Sequence, residues 1–179
     1  MNNDFNSVMK ARRSIYGISK ETTIPNEKIV NFVKDAVLNV PSAFNCQSGK
    51  VIVLFGKHHD MLWDFIMEAL KKIVSAENFS STEEKINSFK AGYGTILYFD
   101  DTDITNALVE KYSLYKDNFP IWAQQANGML QFVIWSLLEQ EGLGASLQHY
   151  NPIADDQIKS QWGVPKSWKL IAQMPFGKP

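Results

Sequence analysis

The sequence predicts an α+β fold, in which helices pack on a central sheet. Helical and strand patterns are mixed without strict βαβ alternation, and two helical patterns precede the first strand. The second of these helices follows Pro25, which suits a first turn, and stops before Pro41. Its apolar residues recur at i, i+3, i+4 and i+7: Ile29, Phe32, Val33, Ala36, Val37 and Val40.

Two continuous apolar runs rich in β-branched residues predict buried strands, at residues 51–55 and 95–99. Shorter patterns predict the other elements. They are a first helix with Phe5, Val8 and Met9 on one face, a third helix over 62–73, a helical segment over 102–115, the start of a strand at 144–147, a helix over 153–162 and a strand over 168–174. The polar segment 75–90 gives no clear pattern.

A long helix is predicted from Pro120 to about Gln140, with Gly142 at its C-terminal cap. Apolar residues lie on nearly all of its sides, as in a helix buried in a core or against a second chain. One chain of 179 residues can hardly cover every side of it. We therefore expect part of this helix to meet a partner in a symmetric dimer.

Composition limits the classes of function. The chain has 179 residues, 45% of them hydrophobic, which fits one domain over residues 1–179. Its net charge of −1 gives no general attraction to nucleic acid or to an anionic membrane. A single cysteine, Cys46, excludes an intramolecular disulfide, and residues 1–9 lack the apolar core of a signal peptide. We expect a cytoplasmic protein with neither nucleic-acid nor membrane partners.

Arg12, Arg13 and Ser14 follow the first helix and form the first candidate binding segment. Guanidinium groups bind phosphate through paired hydrogen bonds, and a serine hydroxyl adds a further one. A cofactor phosphate would suit this cluster. The alternative is a solvated basic helix end that interacts only with the helix dipole.

The second candidate is the loop at residues 41–48, between a helix and a strand, which contains Ser42, Asn45 and Gln47. The two carboxamides both donate and accept hydrogen bonds. In an extended loop alternate residues point the same way, so the pair is predicted to contact the polar edge of a heterocycle. The alternative is a capping loop in which Ser and Asn stabilise turns.

The third candidate is the segment 142–152, whose small residues include Gly144, followed by Leu147, Gln148 and His149. Small residues let a ligand approach the backbone closely, and His149 is able to donate to a ring carbonyl. A purely structural hydrogen bond of His149 is an equal alternative. The glycine spacing is not that of a dinucleotide-binding fingerprint.

Metal binding and nucleophilic catalysis are not predicted. His58, His59 and Asp60 are adjacent on a helix, so their side chains diverge and chelate poorly. Cys46 has no evident His–carboxylate partners.

Together and in this order, the three segments resemble the nitroreductase family. The matching motifs are Arg-Arg-Ser at 12–14, Pro-Ser-Ala-Phe-Asn-Cys-Gln at 41–47, Gly-Leu-Gly at 142–144 after a long helix, and Gly-Lys-Pro at 177–179. Within the family, residues 44–48, 94–99 and 147–152 are similar to the branch of fatty-acid-repression-mutant and copper-induced nitroreductases. The resemblance spans essentially the whole chain.

This resemblance implies an α/β sandwich with a mostly antiparallel central sheet flanked by helices, in an intertwined homodimer. It implies FMN at the dimer interface, NADH or NADPH as donor, and small-molecule acceptors such as nitroaromatics or quinones, with a role in oxidative or metal stress. No side chain is implied as catalytic, since the flavin carries the chemistry. The implied cofactor-binding residues are Arg12, Arg13, Ser14, Ser42, Asn45, Gln47, Gly144, Leu147, Gln148 and His149.

Two departures from the family pattern affect these expectations. Most relatives follow the Asn-x-Gln segment with Pro-Trp, whereas this chain has Ser48-Gly49. Relatives also continue beyond the Gly-x-Pro step into a basic tail, whereas this sequence stops at Pro179 and is either naturally short or truncated, so a weaker phosphate site is expected. An alternative function is a non-catalytic flavin-binding regulatory protein linked to lipid or stress signalling. A catalytic protein must leave one flavin face open, whereas a storage or sensor protein covers it.

Overall fold

The computed structural model describes residues 4–179. This part of the chain contains seven helices and four strands. They are α1 (Phe5–Ala11), α2 (Asn26–Asn39), β1 (Gly49–Phe55), α3 (Lys57–Lys71), α4 (Phe79–Lys90), β2 (Gly94–Asp101), α5 (Thr102–Lys111), α6 (Phe119–Gln140), β3 (Gly144–Ala145), α7 (Asp155–Trp162) and β4 (Trp168–Gly177). Single 3-10 turns lie at Ala43–Asn45, Ala76–Asn78 and Ser113–Tyr115. The predicted mixture of helices with one sheet is confirmed.

The four strands form one antiparallel sheet in the order β1-β2-β4-β3. Its two faces are covered by different helices. Helices α2 and α6 pack on one face, around Ile96, Tyr98 and Met174. Helices α3, α4 and α7 pack on the other, around Leu97, Phe99 and Leu170. This alternation along β2 is what a strand buried on both faces requires, and it confirms the strand predicted at residues 95–99.

Residues 51–55 form a strand as predicted, but the prediction that this strand is buried is wrong. β1 lies at one edge of the sheet, and Leu54 is its only buried residue. An apolar run does not distinguish an edge strand from a central strand, because the two differ only in whether a second strand pairs on their other side. Between β1 and α2 lies an open, mostly apolar groove of about 520 Å³.

Several element ends also differ from the prediction. Helix α3 ends at Lys71, so Ile73 lies beyond it and is exposed. β3 has only two residues and stops before Leu147. On α1 the predicted apolar face is only partly used, because Val8 is buried while Phe5 and Met9 are exposed. The first three of the residues 1–9 compared with a signal peptide lie outside the described residues.

Helix α6 is the central helix, and buried polar side chains fix it to the sheet. β4 carries one extra residue where the pairing with β2 shifts between Tyr98 and Phe99. At this bulge the carbonyl of Phe99 accepts a hydrogen bond from the Nδ2 of Asn127 (3.0 Å). Gln131 donates to the Oδ1 of Asn127 (2.7 Å), which leaves this buried pair well satisfied.

Gly177 allows the end of β4 to contact the segment after α1. A Cβ at this position would lie 2.2 Å from the backbone oxygen of Ser19 and 3.0 Å from the amide nitrogen of Tyr93. The backbone of Ser19 and Lys178 is paired here (2.9 Å). A side chain therefore forces two backbone segments apart.

We expect Gly177→Ala to lower the free energy of unfolding by about 1–3 kcal/mol, the usual cost of overpacking. Chemical denaturation measures this. Gly17→Ala is the matched control, because nothing lies within 4 Å of a Cβ built there. Equal denaturation midpoints for the two variants would contradict the packing argument.

Candidate functional site

The first and third candidate segments lie side by side. The amide of Ile15 donates to the carbonyl of Ala145 (2.9 Å), and Ser14 pairs with Ala145 in a parallel bridge. A Cβ on Gly144 would lie 2.8 Å from the Cγ2 of Ile15. The close approach that Gly144 permits is therefore made by this chain's own Ile15. Residues 12–15 and 144–145 are therefore paired beside α6, with Arg13 and Ser14 exposed and Gly144 and Ala145 buried.

Arg12 and Arg13 have different environments, although they are adjacent. Arg12 is half-buried, and its guanidinium carbon lies 4.4 Å from the ring centroid of Trp135 on α6. Its Nε is buried and has no hydrogen-bond partner among the described residues. Arg13 and Ser14 are exposed. A buried guanidinium nitrogen without an acceptor is costly, so an anion at this position would stabilise it.

The second segment is a tight turn, and the prediction that it is extended is wrong. Phe44, Asn45 and Gln47 have φ angles of 56°, 51° and 52°, in the left-handed region. The hydroxyl of Ser42 accepts from the amide of Gln47 (3.0 Å) and closes the turn. Ser42 therefore holds the turn, while Asn45 and Gln47 are exposed.

This turn lies away from the other two segments within the protomer. Ser42 and Gln47 line a small pocket with Ala126 and Leu130 of α6, whereas Arg12 packs on Trp135. At 1.5 Å per residue, Leu130 and Ala126 lie about 7.5 and about 13.5 Å from Trp135 along the helix. The glycine at position 49, where the family pattern has a larger residue, fits the close approach of α6. A Cβ on Gly49 would lie 3.3 Å from the side chain of Leu130.

In the third segment Gln148 is buried and His149 is exposed. The backbone of Gln148 exchanges hydrogen bonds of 2.7 and 2.9 Å with Gln173 of β4, and its side chain donates to the hydroxyl of Ser146 (3.1 Å). Leu147 is partly buried. The segment is thus fixed to the sheet, and His149 is the side chain that it presents outward.

An aromatic cluster surrounds the Ser42 turn, and sequence reasoning did not locate it. The ring of Phe44, whose side chain is 53% exposed, lies 5.0–6.3 Å from four other aromatic rings. These rings belong to Tyr112, Tyr115, Phe119 and Trp122. Phe44, Trp122 and the exposed Met129 line an open cavity of about 310 Å³. In the sequence, only the closely spaced aromatic residues over 112–122 indicated this cluster. Their spacing could not be interpreted before the position of Phe44 beside them was known.

His59 belongs to a buried network on the opposite face of the sheet. Its Nε2 donates to the carbonyl of Lys90 (3.1 Å), so its Nδ1 accepts from the hydroxyl of Thr95 (2.8 Å). Thr95 also accepts from the indole N–H of Trp63 (3.0 Å). Burial lowers the pKa of His59 below its ordinary value of 6.5. Within residues 4–179, no group of three or more His, Cys, Asp or Glu side chains is placed to hold a metal ion.

This lowered pKa predicts that acid destabilises the protein through His59. Below pH 6.5 the unfolded chain binds a proton that the folded chain does not, so stability falls as the pH drops from 6.5 toward the folded-state pKa. Above 6.5 both states are neutral at His59 and the contribution is flat. We expect His59→Asn to flatten this acid-side loss of unfolding free energy, which chemical denaturation at a series of pH values measures. Identical acid limbs for His59→Asn and the unmodified chain would contradict the assignment.

Comparison with known proteins now identifies the family. The nitroreductase family model matches residues 9–178. The chain belongs to the nitroreductase family. This confirms the predicted family and enzyme class, a nitroreductase-type oxidoreductase. No helix among residues 4–179 is long and apolar enough to cross a membrane.

Three relatives define the similarity. The chain is 31% identical to the nitroreductase FRM2 of Saccharomyces cerevisiae over 174 residues, covering 94% of this chain and 84% of that protein. It is 38% identical to the nitroreductase CinD of Lactococcus lactis in complex with chloramphenicol, with a TM-score of 0.89, covering 98% and 89% of the two chains. The FMN-dependent nitroreductase NfnB of Mycobacterium smegmatis, in complex with NADPH, shares the fold at 14% identity, with a TM-score of 0.72 and coverage of 97% and 86%.

Proposed function

We propose that this nitroreductase binds FMN between two copies of the chain and uses NADH or NADPH to reduce nitroaromatic or quinone-type acceptors. The observation that carries the proposal is the paired segment of residues 12–15 and 144–145, where the buried Nε of Arg12 has no hydrogen-bond partner among the described residues. A phosphate there would accept from the guanidinium of Arg12 and from the exposed hydroxyl of Ser14. These residues therefore fit the phosphate end of FMN.

The ring end of FMN would contact the two exposed polar groups of the Ser42 turn, Asn45 and Gln47. Since this turn lies along α6 from Arg12 in the protomer, we propose that it comes from the second copy. His149, exposed on the segment that Gln173 holds to the sheet, would approach the ring from the first copy. Bound FMN would supply the hydride chemistry, and the chain's own residues would orient it and exclude water.

The aromatic cluster around Phe44 supports an aromatic acceptor. If the Ser42 turn approaches the flavin ring, its neighbours Phe44 and Trp122 approach the same space. Exposed aromatic faces bind flat rings by offset or edge contacts. CinD, whose structure contains the nitroaromatic chloramphenicol, is the more similar of the two solved relatives named above.

The proposal predicts a yellow holoprotein with alternating use of one pocket by donor and acceptor. Under anaerobic conditions NADH or NADPH should remove the visible absorbance of oxidised flavin before any acceptor is added. A nitroaromatic or a quinone should then restore it, and steady-state kinetics should follow a ping-pong pattern. Flavin that stays oxidised under an excess of both donors would contradict the enzymatic role and favour the regulatory alternative.

A further inference from the structure

The ring of Trp135 lies against the side chain that the proposed function assigns to the FMN phosphate. We propose that Trp135 is a positioning residue, which holds the Arg12 guanidinium so that the site selects a phosphorylated flavin over a phosphate-free one. This inference rests on the proposed function, because it concerns the same site. The phosphate-free probe is riboflavin, which has the same ring system and ribityl chain as FMN.

The position of Arg12 is set from two sides. Its backbone caps α1, where its amide donates to the carbonyl of Val8 (2.9 Å). Its guanidinium lies over the ring of Trp135, at 4.4 Å from the centroid. A cation over an indole face is attracted by the ring quadrupole. Neither contact uses a guanidinium N–H as a hydrogen-bond donor, and no acceptor among the described residues pairs with the buried Nε.

Trp135 is a rigid support because of its place on α6. Its helix neighbours Ile134 and Leu138 are fully buried, and Trp135 itself packs partly against the same core cluster. Rotation of the helix is resisted by the buried contact of Asn127 with the sheet. A side chain held on such an element keeps Arg12 in one orientation before the ligand arrives.

No protein carboxylate competes for Arg12 among the described residues. The ion pairs in this part of the chain use Lys20, Lys28, Lys71, Lys90 and Lys178, and none includes Arg12. The Nε of Arg12 is nevertheless buried. A half-buried cation with an aromatic support and no anionic partner is arranged for an anion from outside the chain.

The test uses the full-length protein stripped of flavin, with Trp135→Leu and Trp135→Phe as the pair of variants. Leucine keeps an apolar side chain but removes the aromatic face, and phenylalanine keeps a face. Affinities for FMN and for riboflavin are measured by flavin fluorescence. We expect Trp135→Leu to weaken FMN binding about three- to tenfold while riboflavin binding is unchanged, and Trp135→Phe to recover most of the FMN affinity.

The ratio of the two affinities separates positioning from a general structural role. Equal losses for FMN and riboflavin in Trp135→Leu would overturn the inference, and so would unchanged FMN affinity. An unmodified chain that binds neither flavin would overturn the proposed function itself. Unfolding midpoints of both variants show whether the fold is retained during the titrations.

Discussion

Replacing Arg12 with alanine is expected to weaken FMN binding ten- to a hundredfold. A hydrogen bond to a charged group contributes about 1.5–3 kcal/mol, and each 1.4 kcal/mol is a factor of ten in affinity. Arg12 is the half-buried member of the Arg12–Arg13 pair, and its Nε has no acceptor among the described residues. Titration of flavin-free protein with FMN measures the loss.

Arg13→Ala is the matched control for this prediction. It removes the same charge one residue away, but Arg13 is exposed, whereas it is the Arg12 guanidinium that lies over the Trp135 ring. An exposed cation contributes a weaker, salt-screened attraction, so FMN affinity should change much less and the change should disappear at high salt. Equal losses for the two variants would mean that general positive charge, and not the Arg12 geometry, holds the phosphate.

The rate at which NADH reduces the bound flavin gives a second test of the proposed role of Arg12. Because its proposed role is confined to the phosphate end of FMN, Arg12→Ala that is saturated with FMN should still accept electrons from NADH at nearly the normal rate. Slow reduction at saturating FMN would instead indicate that the substitution displaces the ring.

The sequence alone could not distinguish the two arginines, and the reason is physical. Which of two adjacent side chains faces the protein depends on the backbone direction after α1 and on where Trp135 lies on α6. Both depend on the tertiary packing of two helices, α1 and α6, that lie more than 100 residues apart in the sequence. The motif correctly marked residues 12–14 as a group, but it carried no information on exposure.

The elements predicted best were those with strong periodicity. The apolar spacing of α2 and the length of α6 depend only on local residues, so they were predicted within one or two positions. The same reasoning fails to give the burial of β1, because an edge strand and a central strand can have the same apolar run. The turn at residues 41–48 was misjudged because three non-glycine residues at positive φ within four positions, Phe44, Asn45 and Gln47, have no common sequence signal.

Helix α6 leads to the second large prediction, which concerns dimerisation. In the described chain one side of this helix stays open to solvent. Residues at i, i+4, i+7, i+8 and i+11 spacing form this side: Ile121, Gln125, Gly128 and Met129 are exposed, and Phe132 is half-buried. A Cβ on Gly128 would contact nothing, so the helix is accessible to a close neighbour there. Two exposed apolar side chains of α1, Phe5 and Met9, add to the uncovered surface.

We expect Met129→Glu to weaken the proposed dimer at least tenfold and to weaken FMN binding with it. A charge at the centre of an apolar interface must be desolvated without a partner, which costs several kcal/mol at buried positions. Asn87→Glu is the matched control. It adds the same charge at an exposed position of α4, on the opposite face of the sheet, and should leave both dimer and FMN affinity unchanged.

The expected loss of the dimer and the expected loss of FMN binding are linked by mass action. If Asn45 and Gln47 of one copy complete the FMN site of the other, FMN binds the dimer and not the monomer. FMN must then stabilise the dimer, and dilution must release FMN. Sedimentation across a dilution series, with and without FMN, measures both effects. A monomeric Met129→Glu protein that holds FMN at full affinity would exclude the shared site and would place the whole FMN contact on the Arg12 surface of a single chain.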